Sequence, residues 1–138
     1  MFHLSSLRIA VWLLAGGSLV ASAAESKPLR ALLITGGCCH NYPFQSRQLT
    51  NALGKLAAVE WRIVQEGGNG TRGEISLYDN PDWAKGFDVV VHNECFADTT
   101  SPDYIRRITA AHKAGVPAVT TSSTISPAAL SAATRAIN

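Results

Sequence analysis

Charge is sparse in this sequence. Only 16% of its 138 residues are Asp, Glu, Lys or Arg, and the formal net charge is +2. Arg106-Arg107 is the sole basic doublet. The electrostatic footprint of a nucleic-acid binder is therefore missing, and nucleic acid is not expected as a partner. Cysteine is scarce as well: Cys38, Cys39 and Cys95 are the whole supply. So few thiols cannot staple a disulfide scaffold, so the core has to come from packed secondary structure; an odd number also leaves one thiol over or directs it to another chain. No C-x-x-C or H-x-x-x-H spacing occurs, and no G-x-C-x-G. The strongest sequence signals for zinc and for a cysteine nucleophile on a tight elbow are thus absent. Internal repeats, low-complexity tracts and heptads are lacking too.

The chain also lacks an apolar run of the roughly 20 residues that a membrane span needs. Its longest, Ile9–Val20, follows a short acid-free start and Arg8. Ala21-Ser22-Ala23 then has the small-x-small form of a signal-peptidase site. Residues 1–23 read as a cleaved leader, with the cut expected after Ala23 and after Ala24 as the alternative; an uncleaved anchor is the other reading. The expectation is a periplasmic or secreted protein, without stable membrane insertion once the leader is gone. Residues 24–138 are the length of one domain.

That domain alternates between two periodicities. Leu29–Thr35 reads as a strand buried on both faces, because its apolar residues are continuous rather than alternating. Gln45–Leu56 carries Leu49, Ala52, Leu53 and Leu56 at helical spacing. Val59–Gln65 alternates, which predicts a strand near a sheet edge. A long Gly- and Asn-rich connection, Glu66–Pro81, follows; Pro81–Lys85 is expected to form a helical turn that sets Trp83 against the core. Gly67-Gly68-Asn69-Gly70 reads as a flexible connector, since no helix start follows it. Phe87–His92 is the next strand. Ser101 and Pro102 cap and open a helix that runs to Gly115. Val116–Thr120 is a fourth strand, and Pro127–Ile137 a closing helix. This order predicts an α/β fold: a flavodoxin-like three-layer sandwich around a parallel sheet of order 2-1-3-4, with right-handed crossovers.

In such sheets ligands bind beyond the carboxyl ends of the strands, where the winding reverses. Here the reversal falls between the first and third strands, so the loop Gly36–Pro43 and the segment His92–Asp98 should lie side by side. Cys38, Cys39, His40, His92, Asn93, Glu94 and Cys95 would then converge. Their types suit a transition metal but their spacing does not, so no metal is assigned, and the sequence names no cofactor. A disulfide from Cys95 to Cys38 or Cys39 is reasonable across neighbouring strand ends, given Cα atoms about 4.4–6.8 Å apart; a bridge between the adjacent Cys38 and Cys39 ranks below it. His40 and Glu94 are the candidates for acid–base work, since an imidazole titrates near neutrality. Gly37, Tyr42, His92 and Asn93 are the candidates for substrate contact, with Tyr42 and Phe96 as stacking surfaces. The plain alternatives are a solvated loop acid at Glu94, a backbone-bonded strand-end histidine at His92 and small apolar fillers at the cysteines. His112, on a helix, reads as structural.

Leu32-Leu33-Ile34-Thr35-Gly36-Gly37-Cys38-Cys39-His40-Asn41-Tyr42, the glutamine-bearing helix after it, Phe87-Asp88-Val89-Val90-Val91-His92-Asn93-Glu94-Cys95 and Gly115-Val116-Pro117-Ala118-Val119 together resemble the ThuA-like (trehalose-utilisation-like) domain family. That family is related in fold to class I glutamine amidotransferases. The resemblance spans 29–119. It implies a role in sugar utilisation, with a trehalose-type or keto-sugar ligand, and a site lined by Gly36–Tyr42 and His92–Cys95. The tail 120–138 departs from the family pattern, which carries a histidine-containing segment there, so a truncated or frame-shifted product with an incomplete site is one expectation. The reading is an exported domain that binds or transforms a carbohydrate. A non-catalytic sugar-binding or partner-docking module and an inactive fragment are its rivals.

Overall fold

The structure is a computed structural model that describes residues 27–121. The expected leader with its cleavage site, and the expected helix Pro127–Ile137, lie outside the described residues. Among those described, no helix is long and apolar enough to cross a membrane.

The elements run β1 (Leu29–Gly37), α1 (Tyr42–Gly54), β2 (Val59–Gln65), a 3-10 turn (Ser76–Asp79), β3 (Val89–Cys95), α2 (Pro102–Lys113) and β4 (Ala118–Thr120). The four strands form one parallel sheet in the order β2-β1-β3-β4, the flavodoxin-like arrangement expected from the alternation. β1 lies centrally, with Leu29 to Thr35 paired to Val59 to Gln65 on one side and Ala31 to Gly37 paired to Val89 to Cys95 on the other. Burial on both faces explains its unbroken apolar run: Ala31 through Ile34 are all inaccessible to solvent. Among the described residues β4 is an edge, and its three residues are exposed.

Side chains alternate across β1 and β3. Leu32, Ile34 and Val90 join Ile75, Tyr78, Trp83, Ala84 and Tyr104 in the main core cluster. This puts the 3-10 turn and α2 on one face; α1 covers the other, over β1 and β2. The connection after β2 supplies most of the aromatic core, with Trp83 edge-on to Tyr78 at a centroid distance of 5.0 Å and Tyr104 edge-on to it at 5.6 Å. Contacts of this kind are worth about 0.5–1.5 kcal/mol each beyond area burial. Trp83 is buried as expected, in a run of turns closed by Trp83 N to Asn80 O and Lys85 N to Asp82 O.

Several boundaries differ from expectation. α1 starts three residues early, at Tyr42, because Asn41 caps it by accepting from Phe44 N at 3.1 Å and Pro43 suits the first turn. It ends at Gly54, so Leu56 falls beyond the helix and stands 82% exposed rather than closing the apolar stripe. α2 begins as expected, with Ser101 accepting from Tyr104 N at 3.4 Å. β3 starts and ends later than expected, so Asn93, Glu94 and Cys95 belong to the strand and not to a loop. What extends the ladder is Gly36-Gly37. A Cβ on Gly36 would stand 1.9 Å from Glu66 O, and one on Gly37 would stand 2.1 Å from Cys95 O. Only residues without a Cβ allow these backbones to close around the end of β1, and Gly37 has φ +95° as well.

Candidate functional site at the carboxyl edge

The extended ladder aligns Gly36 with Glu94 and Gly37 with Cys95, and Cys38 N donates to Cys95 O at 3.1 Å. The two segments predicted to converge are therefore neighbours at the carboxyl edge, at the point where the winding reverses. The pleat nevertheless sorts their side chains into separate groups.

On the α2 face, His92 and Glu94 are 2% and 6% exposed. Glu94 Oε1 accepts from Tyr78 OH at 2.6 Å and lies 2.9 Å from His92 Nδ1. Tyr78 OH is also 3.2 Å from that nitrogen. Burial, with the Glu94 carboxylate beside it, pushes the Tyr78 phenol well above its usual pKa, so it serves as a donor. His92 Nε2 lies 2.9 Å from His112 Nε2, and His112 Nδ1 lies 2.8 Å from Val116 O. Trp83 stands edge-on to both imidazoles.

The protons of this chain can be counted. Val116 O only accepts, so His112 Nδ1 carries a hydrogen. Burial lowers the His112 pKa, which favours its neutral form. Its Nε2 then accepts, and His92 Nε2 must donate. His92 Nδ1 and Glu94 Oε1 share a hydrogen bond, and Tyr78 OH donates to the same carboxyl oxygen. Among the described residues, Glu94 Oε2 is buried without a hydrogen-bond partner.

On the α1 face, Asn93 is 5% exposed. Its Nδ2 donates to Gln45 Oε1 at 3.3 Å and reaches Thr35 Oγ1 at 3.5 Å, and its Oδ1 accepts from Thr121 Oγ1 at 2.9 Å. Ser46 Oγ, on the first turns of α1, is buried without a partner among the described residues. This group offers amides and hydroxyls and no charge.

The turn beyond β1 carries the third group. Cys38 and Cys39 are joined to each other, and Cys95 is the free thiol. This corrects the expected order of pairings. Adjacent cysteines are bridged here within a tight turn in which Cys39 adopts φ +80°. Cys95, held in β3 beside Gly37, keeps its thiol. Tyr42 is buried at the start of α1 and donates to Cys38 O at 2.8 Å, and burial raises its phenol pKa. It braces the turn and presents no open stacking face, contrary to expectation. His40 is exposed, its ring edge-on to Tyr42 at 5.8 Å. The acid–base pair proposed from sequence thus separates into an exposed imidazole on the turn and a buried carboxylate held by Tyr78 and His92. Phe96 is half-buried, its ring packed where side chains on Gly67 and Gly73 would otherwise be.

Sequence reasoning missed Tyr78 and His112. A signal for His112 exists: it follows Tyr104 and Ile108 at helical spacing, on the stripe that covers the sheet. Tyr78 gives no such signal, because it lies in an irregular connection. That connection does contain the spacing Gly68-x-Gly70-x-x-Gly73 directly after β2. The next element is a four-residue 3-10 turn, so there is no helix start to hold a phosphate. A cavity of about 230 Å³ opens between Tyr78, Asp79, Pro81, Arg106, Arg107 and Ala110, and none of these residues belongs to β3 or to the Cys38 turn. Arg107 is engaged there by Glu74 and Asp79. Among the described residues no group of three or more His, Cys, Asp or Glu side chains is arranged to hold a metal ion.

Comparison with protein-family models, with curated proteins and with solved structures gave no match to this chain.

Proposed function

We propose that this domain binds a carbohydrate of the trehalose or keto-sugar type at the carboxyl edge of its sheet, as the resemblance to ThuA-like domains implies, and acts after export. The observation that carries the reading is the adjacency of Gly36–Gly37 and Glu94–Cys95 at the winding reversal, the position where open α/β sheets take their ligands. Gln45, partly exposed, and the buried Asn93 that donates to it offer uncharged amides at that edge, which suit the alternating donors and acceptors of a polyol. His40 is an exposed polar side chain of the turn, next to the exposed Asn41, and contacts the ligand from above.

Between binding and turnover, the burial of His92 and Glu94 favours binding, because a carboxylate already engaged by Tyr78 and His92 is not open to a sugar hydroxyl. Calorimetric titration and thermal shift with trehalose, a keto-disaccharide and glucose test the reading. Saturable binding that weakens in Asn93→Ala and His40→Ala supports it. No saturation by any of these sugars, at affinities down to about 1 mM, rules it out. Sugar consumption that depends on Glu94 would move the reading from a binding domain to an enzyme.

A further inference from the structure

The turn Gly37–Asn41 combines features that the carbohydrate reading does not use. Its bridge joins neighbours in sequence, so it closes no loop of the fold and staples no two elements together. The entropic stabilisation usual for a disulfide grows with the loop it closes and is minimal here. The two sulfur-bearing residues are also unequal: Cys38 is 7% exposed, whereas Cys39 lies open on the surface. Cys39 further holds φ +80°, the one non-glycine residue of positive φ among the described residues. A non-glycine backbone there is strained and persists only while its surroundings impose it. α1 begins three residues later, so its positive end faces the turn and favours thiolate there.

We infer that the Cys38–Cys39 bridge is a thiol–disulfide exchange site that accepts two electrons from small-molecule thiols, which enter at Cys39. The thiolate of the incoming molecule attacks Cys39 Sγ. The Cys38–Cys39 bond breaks, and its electron pair leaves on Cys38 Sγ, which recovers from solvent the proton the incoming thiol gave up. A second thiol then attacks the incoming sulfur of the mixed disulfide. It releases Cys39 as a thiol and carries the first molecule away as a disulfide. Two thiols are oxidised and one bridge is reduced, so no other reactant is needed. Opening the ring frees Cys39 to leave the left-handed region. Because Tyr42 OH is tied to Cys38 O and His40 adjoins Cys39, the rim of the turn rearranges with it. Cys95 keeps its thiol throughout and lies beside the turn through the Cys38 N to Cys95 O bond.

The test uses the full chain, purified without reductant and treated with glutathione while folded, with alkylation, intact mass and peptide mapping as readouts. Before treatment, alkylation should label Cys95 alone; afterwards it should label all three cysteines, with unchanged circular dichroism. Regiochemistry is read in two variants offered glutathione disulfide. Cys39 in Cys38→Ser should take up a glutathionyl group at least about tenfold faster than Cys38 in Cys39→Ser, because access controls the attack. Three alkylatable thiols in the untreated protein, a bridge that maps to Cys95, a folded protein whose bridge resists glutathione, or equal rates in the two variants would each overturn the inference. If the variants do not fold, trapping the glutathionyl adduct on the native chain decides between Cys39 and Cys38. None of these readouts involves a sugar, so this inference and the carbohydrate reading fail separately.

Discussion

The two faces of this sheet are built from the same strands and have opposite characters. Alternate residues of β3 send Val90, His92 and Glu94 toward α2 and Val91 and Asn93 toward α1. Toward α2 the partners are aromatic and ionisable, and they form a closed chain from Val116 O through two imidazoles and a carboxylate to Tyr78. Toward α1 they are small hydroxyls and amides, loosely bonded at 2.9–3.5 Å, with a Ser46 hydroxyl to spare. Both groups are buried to the same depth, Asn93 at 5% and Glu94 at 6% exposed, so the faces differ in chemistry and not in cover. Ionisable groups are joined to one another among aromatic residues, and neutral amides and hydroxyls are bonded on the other side. A buried charge left without its partner is severely destabilising, whereas losing a neutral hydrogen bond costs less.

The comparison can be broken most directly at His92. His92→Leu leaves Glu94 buried with Tyr78 as its remaining partner, and should cost about 3–5 kcal/mol of unfolding free energy in urea titrations. A cost below about 1 kcal/mol, the scale of an exposed ion pair, would show that the chain is not sealed. Tyr78→Phe removes one donor from the same oxygen and should cost about 1–3 kcal/mol. On the other face, Asn93→Ala should cost less, about 1 kcal/mol, in keeping with neutral hydrogen bonds. Equal or reversed losses for Tyr78→Phe and Asn93→Ala would abolish the distinction between the faces.

Acid sharpens it further. The folded-state pKa of His112 is lowered by burial, so the unfolded chain takes up its proton first as pH falls. The stabilisation is complete above the ordinary histidine range and is lost as pH drops through that range toward the folded-state value. A protonated His112 also turns its Nε2–H against that of His92. Urea midpoints measured from about pH 7.5 to about pH 5 should therefore fall, and His112→Gln should flatten the slope. An unchanged slope would remove His112 from the chain. The smallest effect is expected at Leu56, where Leu56→Lys should change stability by no more than about 0.5 kcal/mol, since the residue lies outside α1 and in solvent. A larger loss would restore it to the buried stripe.

The parallel sheet and its order were legible because β1 carries the unbroken apolar run Ala31–Ile34 and β2 alternates, while Ser101-Pro102 marks the start of α2. The meeting of the β1 and β3 ends followed from that order. The grouping of side chains at the meeting point did not. Asn93 and Glu94 read as neighbours, but once both belong to a strand they face opposite sides. Whether they belong to it depends on Gly36-Gly37 continuing the ladder. His112 carried a helical-period signal that placed it on the sheet side but said nothing of His92. Tyr78 comes from an irregular connection, where no period relates a residue to a face.

By itself the sequence determined the class of fold, the order of the strands, the start of α2 and the edge at which chemistry-bearing residues gather, because these follow from local periodicity and capping and from the handedness of crossovers. Tertiary structure alone decided that Glu94 is enclosed while His40 is open, that His92 is joined to His112 and that Cys38 is bridged to its neighbour and not to Cys95. These depend on distances of a few ångströms between groups far apart in the chain, or on the backbone angles of a single turn, and no pattern of residue types along a sequence encodes either.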